Sequence, residues 1–207
     1  MEKETKINIS FLIPAYNEEH GLANSIKTLH QYLLSREISF EIIICNDGSI
    51  DNTSKIANKL SDEIKEVQSI GYSINRGRGY AIKYSGNYLR GDYLIYLDSD
   101  IPSNIELSYI DKMIQYLKEY DVVIASRFHK ESKIKRKWQR YVISEVYQLL
   151  VKIIFPQFEI TDPDVGFKGI RCDVFFKVIQ YTDLNGWSWD LQFLINASRL
   201  GFSCTEF

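Results

Sequence analysis

Two carboxylates one residue apart, Asp98 and Asp100 on either side of Ser99, follow directly on the apolar run Tyr93-Leu94-Ile95-Tyr96-Leu97. That spacing suits a divalent cation. Mg²⁺ and Mn²⁺ take oxygen ligands, typically one or two carboxylates with the remainder from substrate phosphates and water. The pair therefore predicts a diphosphate-bearing substrate, and its structural alternative is a turn or a helix cap. The preceding run reads as a strand that delivers both carboxylates to its carboxyl end, where α/β sheets keep their ligands.

The elements needed to hold that strand recur along the chain. Residues 7–13 read as a buried strand, 14–19 as a polar loop, and the residues to about 36 as a helix with Leu22, Ile26, Leu29 and Leu33 at helical spacing. Residues 40–45 are a second strand and 46–49 a turn. Residues 51–60 are a helix whose start is marked by Asp51, Asn52 and Thr53. A third strand is expected over 67–70, and a helix from the glycine-rich run 75–79 to about 89. Alternation of this kind predicts βαβ units and a parallel sheet. Beyond the carboxylates, 105–119 read as an amphipathic helix and 122–125 as a strand. A further apolar helix is expected over 141–155, a short strand over 166–170, and helices near 173–179 and 188–200.

The chain has 207 residues, of which 45% are apolar and 25% charged, with a formal net charge of -2. This describes one globular domain able to bury a core without disulfide or metal staples. It carries no global basic signature for nucleic acid. Cys45, Cys172 and Cys204 are an odd number without metal spacing, which fits a reduced, cytoplasmic setting. His20, His30 and His129 share no ligand spacing. The charged start gives no signal-peptide pattern, and no run approaches the ~20 apolar residues of a membrane span. The segment 202–207 reads as a strand just beginning, which predicts that the natural chain continues.

Five landmarks stand in order: Ile13-Pro14-Ala15-Tyr16-Asn17-Glu18-Glu19, Asn46-Asp47-Gly48-Ser49, Asn75-Arg76-Gly77-Arg78-Gly79, Asp98-Ser99-Asp100, and Gly166-Phe167-Lys168 followed by Gly186-Trp187-Ser188-Trp189-Asp190. Together they resemble the family 2 glycosyltransferases, inverting enzymes of the GT-A fold. The fifth is similar to the branch that transfers sugars to dolichyl or undecaprenyl phosphate. The resemblance implies a single GT-A domain, with residues 1–126 as the nucleotide-sugar half and 127–207 as the acceptor half.

It further implies that Pro14, Ala15, Tyr16 and Glu18 border the nucleotide, that Asp47 accepts a hydrogen bond from the base, and that Arg76, Gly77 and Arg78 lie beside the sugar nucleotide. Asp98 and Ser99 would border the donor, and Asp98 and Asp100 would serve Mg²⁺ or Mn²⁺. Two departures stand out. Asn46 replaces a frequent aspartate, and Pro102 stands where the lipid-phosphate branch often has a glutamine, so no third protein ligand comes from that position. Arg76 and Arg78 either add positive charge at the leaving diphosphate or are solvated surface residues.

The acceptor decides what else is required. A sugar hydroxyl needs a base, for which Asp190 is the candidate, whereas a polyprenyl phosphate is already ionised and leaves Asp190 to orient the acceptor or cap a helix. A phosphate acceptor needs cations, and Arg127 resembles the family arginine that faces it, with Arg136 or Arg140 as a second contact. The basic stretch from Lys130 to Arg140 and the apolar segment after it suit peripheral contact with the cytoplasmic face of a membrane; otherwise they are a solvated loop and a core helix. Trp187 and Trp189 either stack on sugar or isoprenoid or fill the core. The leading expectation is hexose transfer from a UDP-glucose or GDP-mannose type donor to a polyprenyl phosphate, with a glycan or glycolipid hydroxyl as the alternative acceptor. A sugar nucleotidyltransferase would show a glycine-rich loop with a lysine after the first strand, where this chain has Pro14-Ala15-Tyr16-Asn17. A non-catalytic sugar or lipid binder would not need the paired metal carboxylates.

Overall fold

The computed structural model describes residues 8–100, 106–126, 160–186 and 188–207. Within them lie seven strands, β1 (Ile9–Ala15), β2 (Phe40–Asp47), β3 (Val67–Tyr72), β4 (Tyr93–Leu97), β5 (Val122–Ile124), β6 (Phe167–Arg171) and β7 (Cys204–Glu206). The α-helices are α1 (Leu22–Leu34), α2 (Thr53–Glu63), α3 (Arg78–Ser85), α4 (Ser108–Tyr116), α5 (Cys172–Val178) and α6 (Trp189–Arg199). One sheet runs β3-β2-β1-β4-β6-β5-β7.

The order follows from which strands are apolar on both faces. β1 and β2 are buried almost throughout, as strands covered by helices on two sides must be. Ile9, Phe11 and Ile13 of β1 meet α1 and α4 on one face, together with Ala57 and Leu60 of α2. Leu12, Ile43 and Tyr96 face the other way, onto Ala81 and Ile82 of α3, Phe175 of α5 and Phe193 of α6. In α1 the buried Leu22, Ile26, Leu29 and Leu33 recur every three or four residues, the spacing that puts them on one face. At the other end of the sheet, fully buried Glu41 accepts from Ser10 Oγ at 2.6 Å and from the Arg90 N–H at 2.8 Å and Nε at 2.6 Å, joining β2 to β1 and the segment entering β4.

The expected βαβ series is present through β4, where β1 pairs in parallel with both β2 and β4, and β2 with β3. The strand order reverses between β1 and β4, so a crevice opens beyond their carboxyl ends. The sheet is mostly parallel, as the GT-A resemblance implies, and the exception is β6, which runs antiparallel to both β4 and β5. Other boundaries move slightly. The helix expected from residue 75 begins at Arg78 and passes after Ser85 into a 3₁₀ turn, Gly86–Tyr88, while α4 is shorter than the expected 105–119. Arg127, Arg136, Arg140, Trp187, Pro102 and the expected helix over 141–155 lie outside the described residues. Among those described, no helix is long and apolar enough to cross a membrane.

Candidate active site

Four loops leave the carboxyl ends of the parallel strands at one edge of the sheet. Pro14 and Ala15, expected in the loop, are the last residues of β1, half-buried and buried; beyond them Tyr16 is exposed and Asn17 takes a left-handed turn at φ 56°. This loop is stitched to the one after β2. The Asn17 N–H donates to Ser49 Oγ at 3.0 Å, the Glu18 N–H to Thr53 Oγ1 at 2.7 Å, and the Ile50 N–H to Asn17 Oδ1 at 3.0 Å. Asp51 accepts the Thr53 N–H at 2.9 Å just ahead of α2, whose cap position is Asn52. Asn46 is not idle in place of an aspartate, since its Oδ1 accepts the Ser49 N–H at 3.1 Å.

Asp47 is buried at the end of β2 and braces the next loop. Its carboxylate accepts the Arg76 N–H at 2.7 Å, the Gly77 N–H at 2.9 Å and the Asn75 amide at 3.1 Å. The N–H groups of Arg76 and Gly77 therefore point at Asp47. Gly48 and Gly77 make this close approach possible: both have positive φ, 66° and 91°, and a Cβ on Gly48 would lie 2.3 Å from the Asn75 nitrogen. Burial, and after it Asp47, raise the pKa of the nearby Tyr72 phenol. The Arg76 guanidinium lies 4.7 Å from the Tyr80 ring centroid and donates to Tyr80 Oη at 2.8 Å.

The Asp98 N–H is fixed by the Gly166 carbonyl at 2.8 Å, and its Oδ1 accepts from Arg78 Nη1 at 3.0 Å. Its side chain remains 42% exposed. Ser99 is buried and Asp100 exposed. No group of three His, Cys, Asp or Glu able to hold a metal forms among the described residues. Two neighbouring carboxylates, Asp98 half-exposed and Asp100 exposed, are the oxygen donors that Mg²⁺ or Mn²⁺ would share with phosphate oxygens.

Asp190 lies in the first turn of α6 but points into the core, 1% exposed. Lys168 Nζ donates to its Oδ1 at 2.7 Å, and the Tyr96 hydroxyl and Arg78 Nη2 donate to it as well. Burial alone would raise its pKa, yet Lys168 and Arg78 overcome that and hold it below the ordinary carboxylate value. Neither solvent access nor a helix cap describes it: the cap position is Ser188, which makes no side-chain cap bond. Trp189 is wholly buried, stacked on Phe193 at 5.1 Å and set against Gly79, so its core alternative is the one realised. Asp164 nearby has a raised pKa, through burial first and then the charge of Asp190.

The sequence reading reached Asp98, Asp100, Asp47, the loop 75–79 and Asp190, and the fold gathers them at this edge. It missed Lys168 and Tyr96 as partners of Asp190. A lysine and a tyrosine inside otherwise apolar strands were the available signal, because each needs a buried partner.

This architecture is that of the GT-A glycosyltransferases. Solved glucosyl-3-phosphoglycerate synthase from Mycobacterium tuberculosis, in complex with Mn²⁺, uridine-diphosphate and phosphoglyceric acid, superimposes with a TM-score of 0.73 over 97% of this chain and 68% of that one, at 18% identity. The chain belongs to glycosyl transferase family 2, which matches residues 10–178. Glycosyltransferase AglD of Haloferax volcanii is 30% identical over 97% of the chain, and the dolichyl-phosphate beta-glucosyltransferase of Saccharomyces cerevisiae is 30% identical over 96%. The chain spans 32% and 65% of the lengths of these two relatives.

Proposed function

We propose that the chain transfers a hexose, with inversion, from a nucleoside-diphosphate sugar of UDP-glucose or GDP-mannose type to a polyprenyl phosphate at the cytoplasmic face of a membrane. The observation that carries the reading is the gathering of Asp98, Asp100, the Asp47-braced loop 75–79 and the loop 14–18 at the carboxyl edge of parallel strands. The relatives support the acceptor: one of them is named for glucosyl transfer to dolichyl phosphate.

An acceptor phosphate oxygen attacks the anomeric carbon as the bond from that carbon to the donor diphosphate breaks, and the nucleoside diphosphate leaves with the electron pair. A bound Mg²⁺ or Mn²⁺, held by Asp98 and Asp100, would neutralise charge on the leaving group as a Lewis acid. Loop 14–18 borders the nucleotide, and Tyr16, 45% exposed, offers a ring to the base. Asp47 accepts a hydrogen bond from the base and also braces residues 75–77 beside the donor. Arg127 would meet the acceptor phosphate bidentately. An ionised phosphate needs no general base, and the three donors on buried Asp190 favour this acceptor over a hydroxyl.

The test is calorimetric titration with UDP, GDP, UDP-glucose and GDP-mannose, with and without Mn²⁺, on the wild type and on Asp100→Ala. Metal-dependent binding of one nucleotide, lost in the variant, is expected. The bound donor is then assayed with a short polyprenyl phosphate and with the matching alcohol, and transfer to the phosphate alone is expected. Absence of binding by every nucleotide would overturn the donor reading, and transfer only to the alcohol would overturn the acceptor.

A further inference from the structure

Behind Asp98, four side chains from four elements meet: Arg78 of α3, Tyr96 of β4, Lys168 of β6 and Asp190 of α6. Arg78 is shared, one arm on Asp98 at 3.0 Å and the other on Asp190. Lys168 is wholly buried, and its Nζ reaches Asp190 Oδ1 at 2.7 Å and the Val165 carbonyl at 2.5 Å. Two cations thus stand between the buried Asp190 and the half-exposed Asp98, with the charges of Asp162 and Asp164 also near. A buried carboxylate demands compensation. Lys168 and the Tyr96 hydroxyl cover Oδ1 of Asp190, while its Oδ2 engages one arm of Arg78 and leaves the other to Asp98; loss of the Lys168 charge would make Arg78 the remaining cation on Asp190 among the described residues.

Gly166, two residues before Lys168, touches the same carboxylate from the other side. Its carbonyl holds the Asp98 N–H, and a Cβ on it would lie 1.7 Å from Asp98 Oδ2 and 2.0 Å from Cγ. Gly166 is not among the positive-φ glycines, so the requirement is for space and an alanine is tolerated by the backbone itself.

We propose that Lys168 and Gly166 are positioning residues of the donor site: Lys168 neutralises Asp190 so that Arg78 spans it and Asp98, and Gly166 leaves the space the Asp98 carboxylate fills. What Asp98 serves rests on the donor reading above, but the coupling of β6 to Asp98 does not.

Two measurements therefore separate the claims. In thermal unfolding, Gly166→Ala is expected to lower Tm by about 3 °C or more in the wild-type background, and by less than half as much in Asp98→Ala, where no carboxylate is displaced. Lys168→Met is likewise expected to be partly relieved by Asp190→Asn, and that double variant, which removes both charges, carries the arm if the single one fails to fold. In calorimetry, Gly166→Ala and the folded Lys168 variant should each bind UDP with Mn²⁺ about tenfold or more weakly. Additive Tm shifts across both cycles would overturn the proposal, as would wild-type UDP affinity in folded variants. A wild type that binds no nucleotide defeats the donor reading, and the two melting cycles then decide the positioning claim alone.

Discussion

Arg78 is the residue on which the site turns, because a single guanidinium contacts both the exposed carboxylate of Asp98 and the buried one of Asp190. Burial opposes its charge, but Asp190 and then Asp98 raise its pKa above the ordinary arginine value, so it is a permanent cation. A lysine carries the charge on one point and cannot fork between two carboxylates. Arg78→Lys is therefore predicted to weaken metal-dependent donor binding at least about tenfold by calorimetry; unchanged affinity would remove the bridge from the argument. Asp190 gives a pH prediction. Its folded pKa is depressed, so its contribution to stability is present above the unfolded value of about 4 and is lost as the pH falls toward the folded one. The Tm gap between wild type and Asp190→Asn should be widest near neutrality and narrow through the acid range; a gap that grows with acid would contradict the assignment. At this scale Asp98 and Asp100 were legible because two carboxylates follow directly on an apolar run, and Asp47 and Asp190 because they stand in the landmarks that carry the family resemblance. Lys168 and Tyr96 were not, because apolar periodicity records only that a strand is buried and is silent about which charge lies across from it.

The elements owe their positions to a few close approaches between backbones. Gly79, at the start of α3, would carry a Cβ 2.4 Å from Trp189 Cβ and 2.5 Å from its Cγ, so α3 and α6 touch only because that side chain is missing. Gly79→Ala forces the helices apart or the indole out of place, and is predicted to cost about 1–3 kcal/mol in urea unfolding. Gly48→Ala is predicted to cost more, since it meets a backbone nitrogen at 2.3 Å and also demands a left-handed conformation from a residue with a Cβ. Equal losses would show that the loop 74–75 yields readily. The first four strands and three helices were legible from alternating apolar runs and polar turns. The direction of β6 was not, because alternation is the same read in either sense, and only its pairing with Leu97 and Ile124 fixes it.

Across the whole molecule, the sheet with its two helical faces buries Cys45 and Cys172 and leaves Cys204 half-buried. Burial pushes Cys45 up to about 11 and Cys172 and Cys204 to about 12, so almost no thiolate forms near neutral pH. All three are predicted to resist a thiol reagent at pH 8 in the native protein and to react together in guanidinium. Rapid native labelling of any one would place it outside the packed layers. The composition predicted a globular domain with its own core, but the assembly of its site carries a kinetic cost visible only in the pairing of β4 with β6. Leu97 meets Phe167, and the Asp98 N–H meets the Gly166 carbonyl, across a long separation in sequence. Such a contact closes late, after the local βαβ units have formed, since loop-closure entropy must be overcome before it contributes. During synthesis the loops after β1, β2 and β3 can take shape while Asp98 still has no wall behind it. Competence for the donor would then arrive abruptly, with the emergence of one short strand.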